Sequence, residues 1–382
     1  MLKKSIFVVL FALLFLFCNN SDQLKKAQVY INSIKQQFVP DTRVAVFNID
    51  VKKIDNKIVF TGETDQDTVL KLVNLFAKKE FQDYVVDINL LPDKKLNDSI
   101  YGIVRVSVLN MRREPDFSAE LLSQALMGMV VKVLKYKDGF YYIQTPDKYL
   151  GWASSSGIVR KTEKEKNDYL NSKLLFYIKR EGWIVDSLFD YSRPVCDIVA
   201  GSKIKFLSKN KGWIKVELPD NRIGYVKSGE VVDYEKWQRT TKATPEDIIK
   251  TAFKFKGVPY LWGGTSSKML DCSGFVRTVF MLNNIMLPRD ASQQVLIGKE
   301  IPITEDFKEL HPADLLFFGF YDSVRHKERI THVGIYIGDC KFIHESGMVK
   351  VNSLCKDSAD YSEYRRTHLR HVKRVLNVLK KE

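Results

Sequence analysis

Two hydrophobic rhythms alternate along the first third of this chain. Residues 27–37 carry apolar positions at helical spacing, and Arg43-Val-Ala-Val-Phe-Asn-Ile-Asp50 then switches to strand alternation. A second strand is expected at Lys57-Ile-Val-Phe-Thr-Gly62. An amphipathic helix follows with Val69, Leu70, Leu72, Val73 and Phe76 on one side, and a last strand at Val85–Leu91. Residues 24–97 therefore read as a small α/β domain. We find no chemistry in its pattern.

Beyond residue 100 the rhythm becomes that of many short strands, and it repeats. Gly139-Phe-Tyr-Tyr-Ile-Gln-Thr-Pro-Asp-Lys-Tyr-Leu-Gly-Trp152 is echoed by Gly212-Trp-Ile-Lys-Val-Glu-Leu-Pro-Asp-Asn-Arg-Ile-Gly-Tyr225. Each copy is an aromatic strand, a Pro-Asp turn, and a Gly-aromatic step into the next strand. Two small β-barrels, at 100–160 and 168–234, are expected. The first, with Val108–Pro115 and Ser118–Gln124, resembles a bacterial SH3-type domain; the second resembles a more divergent one. Residues 161–167 read as a charged link between them. The 24–97 unit has an element order similar to the BON-type domain of exported bacterial proteins.

At Thr244-Pro245-Glu246-Asp247 a capped helix opens the last domain, 244–382. Its end, from Arg365, is rich in Lys and Arg and reads as a solvated basic segment.

A chain of 382 residues with 45% hydrophobic and 12% aromatic residues exceeds one core and excludes large-scale disorder. The formal charge of +14 favours polyanionic surroundings, namely nucleic acid, anionic lipid or an acidic cell wall, but by itself selects none. The cysteines are Cys18, Cys196, Cys272, Cys340 and Cys355. They form no CxxC pair and no zinc-like spacing, and no disulfide framework is expected from them. A reactive thiol among them is. With no metal site or nucleotide loop legible, no cofactor is expected.

Lys3 and Lys4 precede an apolar run, Ile6–Phe17, which is short for a spanning helix and matches an export signal over residues 1–18. Cys18 directly after it resembles the acylated cysteine of bacterial lipoproteins. Phe17 departs from that pattern, which wants a small residue there. The expected location is the cell envelope, held to the membrane by a lipid anchor or the signal itself.

The chemistry concentrates in Pro259-Tyr-Leu-Trp-Gly-Gly-Thr-Ser-Ser-Lys-Met-Leu-Asp-Cys-Ser-Gly-Phe-Val276. Asp271 is placed as an N-cap. Phe275, Val276, Val279, Phe280 and Leu282 supply a buried helical stripe. Cys272 then lies in the first turn, where unsatisfied N–H groups and the helix dipole favour a thiolate and can hold an oxyanion. A lone cysteine is as commonly a buried structural residue. The base must come from elsewhere. Thr331-His-Val-Gly-Ile-Tyr-Ile-Gly338 and Lys341-Phe-Ile-His-Glu-Ser346 read as adjacent antiparallel strands that set His332 and His344 side by side. His332 would take the thiol proton and His344 would fix its tautomer.

Asp271-Cys-Ser-Gly274, His332–Gly338 and His344 resemble the Cys, His and third polar residue of the NlpC family of papain-like peptidoglycan peptidases, and Pro312–Phe318 matches the intervening strand. The resemblance implies an α+β multidomain protein: a papain-like catalytic domain behind two SH3-like barrels and the α/β unit. That architecture is similar to the subgroup cleaving γ-D-glutamyl–diamino acid bonds in peptides with a free N-terminal L-alanine. The subgroup's carboxylate for the ammonium group matches Asp290 in Leu287-Pro-Arg-Asp-Ala-Ser-Gln-Gln294. Ser273, Glu120 and Tyr149 would line the same pocket and Tyr260 would position the oxyanion. Ala291 stands where related enzymes can carry Ser, so one hydrogen bond is expected to be missing. Asp290 also reads as a plain helix cap, and Glu120 and Tyr149 as barrel-surface residues. The implied partner is peptidoglycan-derived peptide, with no nucleic acid. Three rivals remain: an endopeptidase remodelling intact peptidoglycan, a wall-peptide-binding protein whose catalytic site has decayed, and acyl transfer to an acceptor other than water.

Overall fold

A computed structural model of the protein describes residues 20–187 and 193–376; the expected export signal and Cys18 lie outside the described residues. The chain divides into two units, residues 1–91 and 92–382.

In the first unit, helix Asn20–Phe38 precedes strands Phe47–Ile54 and Lys57–Thr64, helix Asp67–Glu80 and strand Tyr84–Leu90. The first two strands pair antiparallel and the third joins the second in parallel. Val69, Val73 and Ala77 close over Ile58 and Phe60, as the helical period requires. The unit stops at Leu91, short of the expected residue 97. Leu96 belongs instead to the core of the next domain, and Asp93 N–H bonds the Leu134 carbonyl there.

Two seven-stranded antiparallel sheets follow in the second unit. The repeated segments form equivalent hairpins: Phe140–Gln144 pairs with Leu150–Ser154, and Trp213–Glu217 with Ile223–Lys227. The 161–167 stretch is not a bare link. Thr162 and Glu165 make a reciprocal capping box on helix Glu163–Leu170, so local capping orders a segment whose composition reads as linker.

The last domain has a six-stranded sheet in the order Lys299–Glu300, Leu369–Arg374, Leu315–Asp322, Lys327–Gly338, Lys341–Ser346, Met348–Ser353. The helix Cys272–Met281 packs on one face of it, and every residue of that helix is buried. Phe275, Val276, Val279 and Phe280 lose all exposure, each worth about 1.5–3 kcal/mol of transfer free energy. The other face carries Leu316, Phe318, Tyr336 and Phe342.

Two expectations are overturned here. The basic segment from Arg365 is helix Glu363–His368 followed by a sheet strand, because its Arg and Lys residues find carboxylates. Arg374 pairs with Asp314, and Lys373 with Glu300. Cys340 and Cys355 form a disulfide across the Lys341–Ser346/Met348–Ser353 hairpin, Cα to Cα 5.6 Å. Spacing alone could not show this, since the hairpin's register brings the two residues together.

Candidate active site

The turn that begins the buried helix is organised by one carboxylate. Asp271 Oδ1 accepts the Gly274 N–H at 2.7 Å, the capping bond, while Oδ2 accepts the Gly263 N–H at 3.0 Å from the glycine-rich loop. Gly274 itself is obligatory: a Cβ there would lie 2.0 Å from the Gly264 carbonyl oxygen. Behind Asp271 lies Arg289, only 2% exposed, with Nη2 at 2.5 Å from Oδ2 and Nη1 donating to Ser273 Oγ at 3.0 Å.

This scaffold presents Cys272, 9% exposed, in the first turn of the helix, near the backbone N–H groups of Ser273 and Val333. His332 lies on the strand Lys327–Gly338, which packs against the helix that bears Cys272. Burial, assisted by the Asp271 charge, nevertheless pushes the thiol up to about 12, against the pull of the two N–H groups. Desolvation thus opposes the thiolate that the helix dipole favours.

The tautomers of the histidine pair follow from their far end. The Asn352 amide donates from Nδ2 to the Asp360 carbonyl at 3.0 Å, which turns Oδ1 toward His344 Nε2 at 2.9 Å. His344 must carry its hydrogen on Nε2, leaving Nδ1 to accept from His332 Nε2 at 2.8 Å. His332 Nδ1 is left with a lone pair. Burial, then the Arg365 charge, holds His332 well below its ordinary value; burial also brings His344 down to about 4. A thiol and a neutral imidazole of fixed tautomer are the groups a proton transfer to a base requires, and N–H groups in the first turn of the helix can receive a developing oxyanion.

A second group of side chains meets where the first barrel packs on this domain. The Tyr149 hydroxyl donates to Asp290 Oδ2 at 3.1 Å. Asp290 is at the same time the N-cap of helix Ala291–Gln294, in a capping box with Gln293. Glu120 accepts from Trp262 Nε1 at 2.9 Å and from Arg113 Nε at 2.7 Å; Arg113 above all keeps its carboxyl below the usual range. Gln124 and Thr265 exchange three hydrogen bonds across the same junction, and Arg277 pairs with Asp147 at 3.0 Å with both side chains 6% exposed. The barrel is thus held rigidly at the mouth of the site. Tyr260 is half-buried, its hydroxyl pushed up by burial and by the proximity of Cys272.

Of the eight residues singled out in the sequence, His332 bonds His344, Tyr149 bonds Asp290, Ser273 next to Cys272 bonds Asp271, and Glu120 bonds Trp262 in the loop that also carries Tyr260. Pattern reading missed Asn352, Arg289, Trp262, Arg365 and Glu345. Asn352 and Arg365 carry no local signal, while Trp262 and Arg289 lay inside motifs already noticed. Among the described residues there is no cluster of His, Cys, Asp and Glu able to hold a metal, and no helix is long and apolar enough to cross a membrane.

Glu345, next to His344 but on the opposite face of its strand, has no exposure, and neither carboxyl oxygen has a partner. Burial raises its carboxyl to about 7, with Asp271 adding to the rise and Lys350 opposing it. A folded-state value above the ordinary carboxylate value means that folding takes up a proton. Its stabilising share is complete at acid pH and is lost as pH climbs toward and through 7, by roughly 3 kcal/mol in all. The two depressed histidines act oppositely, losing stability as pH falls below their ordinary value near 6.5. Glu345→Gln isolates the acid: the variant's stability relative to the parent, from urea unfolding, is expected to rise between pH 5 and pH 8. A pH-independent difference would exclude a proton held at Glu345.

Two stretches of the chain match known domain families. Residues 257–372 match the NlpC/P60 family and residues 107–159 the bacterial SH3 domain. A gamma-D-glutamyl-L-lysine dipeptidyl-peptidase of Bacillus subtilis is 34% identical over 182 residues, 43% of this chain and 59% of the relative. Dipeptidyl-peptidase 6 of Lysinibacillus sphaericus is 28% identical over 265 residues, 66% of this chain and 91% of the relative. The solved structure of an NlpC/P60 family protein from Bacillus cereus superposes with a TM-score of 0.61 at 21% identity, covering 72% of this chain and 99% of that one.

Proposed function

Since the chain carries an NlpC/P60-family domain behind a bacterial SH3 domain, we propose that it hydrolyses the γ-D-glutamyl–diamino acid bond of cell-wall peptides with a free N-terminal L-alanine. The observation that carries this reading is a cysteine at the Asp271-capped start of a buried helix, together with a His332–His344–Asn352 chain that fixes an imidazole tautomer on the strand packed against that helix.

The reaction follows from those atoms. His332 Nδ1 takes the Cys272 proton as sulfur attacks the γ-carbonyl carbon. The carbonyl oxygen becomes an oxyanion facing the Ser273 N–H, with Tyr260 beside it. Collapse breaks the C–N bond, and the imidazolium returns its proton to the departing nitrogen. The thioester is then attacked by water, whose proton goes to His332, and L-Ala-γ-D-Glu leaves with the thiol restored. His344 and Asn352 stabilise the transient imidazolium by holding its orientation.

Substrate choice resides in the barrel junction. A carboxylate fixed by Tyr149 and by its own helix cap suits an ammonium group, and such a contact is short-ranged and charge-assisted. It would reject wall in which that amine is acylated, which sets this reading apart from an endopeptidase of intact peptidoglycan. The names of the similar dipeptidyl-peptidases point the same way. An exported enzyme of the cell envelope, anchored through its N-terminal segment, fits this substrate.

Asp290→Asn keeps the cap and removes the charge. Its kcat/KM on L-Ala-γ-D-Glu-L-Lys is expected to fall roughly 30-fold, with little change on the N-acetylated peptide. Equal losses on the two peptides would reduce Asp290 to a cap.

A further inference from the structure

Arg365 and Lys350 are cations near the histidine pair that the reaction above leaves unused, and of the two Arg365 also acts on Cys272. It sits in helix Glu363–His368, with its guanidinium 5.4 Å from the centre of the Phe318 ring, and that ring lies 5.7 Å from the imidazole of His332. Its Nη2 reaches Ser346 Oγ at 3.5 Å, at the end of the strand that bears His344. Among the described residues it forms no ion pair with any carboxylate. Its charge is felt by both imidazoles and by Cys272.

Neighbouring arginines make this unusual. Arg289 has Asp271, Arg374 has Asp314 and Arg277 has Asp147. A half-buried guanidinium left without a counter-ion beside a catalytic base costs stability and lowers that base's proton affinity. A substrate carboxylate removes both penalties at once. Its fork of donors, laid on an aromatic face, is pre-organised for a planar oxyacid rather than for a point charge.

Direction identifies the carboxylate. Asp290, Tyr149 and Glu120 lie together at the first barrel and would take the amine end of the peptide. Arg365 lies instead beside the histidines, where the departing nitrogen receives its proton. The group within two bonds of that nitrogen is the α-carboxyl of the leaving amino acid.

Resting on the peptidase reading, we propose that Arg365 determines specificity on the leaving side: it binds the free α-carboxylate of the residue whose nitrogen departs, so that peptides ending at the diamino acid are cut in preference to amidated or extended ones. Docking of that carboxylate cancels the positive charge next to His332 and so strengthens the base only when the right substrate is present.

Three peptides test this on the full-length protein: L-Ala-γ-D-Glu-L-Lys, the same peptide as its C-terminal carboxamide, and L-Ala-D-isoglutaminyl-L-Lys. The lysine peptides have no second side-chain carboxylate to confuse the result. We expect the parent to favour free acid over carboxamide by about 30-fold in kcat/KM, as for a charge-assisted bidentate contact. In Arg365→Gln the ratio should drop below about 3-fold, with part of it kept in Arg365→Lys. Each ratio is measured within one protein, so a common loss of folded enzyme cancels. Equal cleavage of acid and carboxamide by the parent overturns the assignment, as does an unchanged ratio in Arg365→Gln. Loss of discrimination against the isoglutaminyl peptide alone would also overturn it, by moving the carboxylate to the glutamyl residue. No turnover of any of the three by the parent overturns the peptidase reading itself.

Discussion

Cys272→Ala is expected to lower kcat on L-Ala-γ-D-Glu-L-Lys by at least about 10⁴-fold, since it removes the only atom in the site able to form a thioester. The fold should survive. The substitution deletes one partly screened sulfur atom at a helix N-terminus, and Asp271 continues to cap the helix through Gly274. Far-ultraviolet dichroism and the urea midpoint are expected to stay close to the parent's. Cys272→Ser should be almost as inactive despite its hydroxyl, because His332, depressed by burial and by Arg365, is too weak a base for an alcohol. Substantial turnover by Cys272→Ala would end the cysteine-peptidase reading. It would leave a wall-peptide-binding protein or an unrelated mechanism.

The second large effect is on stability. Arg289→Met should destabilise the domain that contains the sheet by about 3–5 kcal/mol, the usual cost of leaving one member of a buried ion pair without its partner. Asp271 is 9% exposed and would retain only the Gly274 and Gly263 N–H groups and the Ser273 hydroxyl. Because that carboxylate ties the glycine loop to the helix carrying Cys272, kcat should fall together with the unfolding midpoint. Arg289→Met combined with Asp271→Asn should recover part of the stability, since no orphaned charge then remains. A loss below about 1 kcal/mol in the single variant would show that solvent reaches Asp271 and that the pair is not structural.

Both predictions concern residues of unequal visibility in the sequence. Cys272 stood out because local rules placed it: an N-capping Asp, a glycine at the close approach, and an apolar stripe at helical spacing all lie within ten residues of it. The period-two pattern likewise put His332 and His344 on neighbouring strands, and the repeated Gly-aromatic hairpins announced two barrels. Each of these depends on contacts between residues close in the chain, where backbone geometry permits few alternatives.

What tertiary structure alone decided has a different physical origin. The Cys340–Cys355 bridge depends on hairpin register. The basic C-terminal run became a strand because Asp314 and Glu300 were waiting for its cations. Burial, a property of the whole domain, raises the Cys272 thiol against the local pull of the helix terminus. Asn352 fixes a tautomer through Asp360, and Arg365 faces the site from a helix far along the chain, with nothing around either residue in sequence to mark it. Periodicity encodes which side of an element is buried; which charges end up near each other, and how dry their surroundings are, is set only when distant segments close on one core.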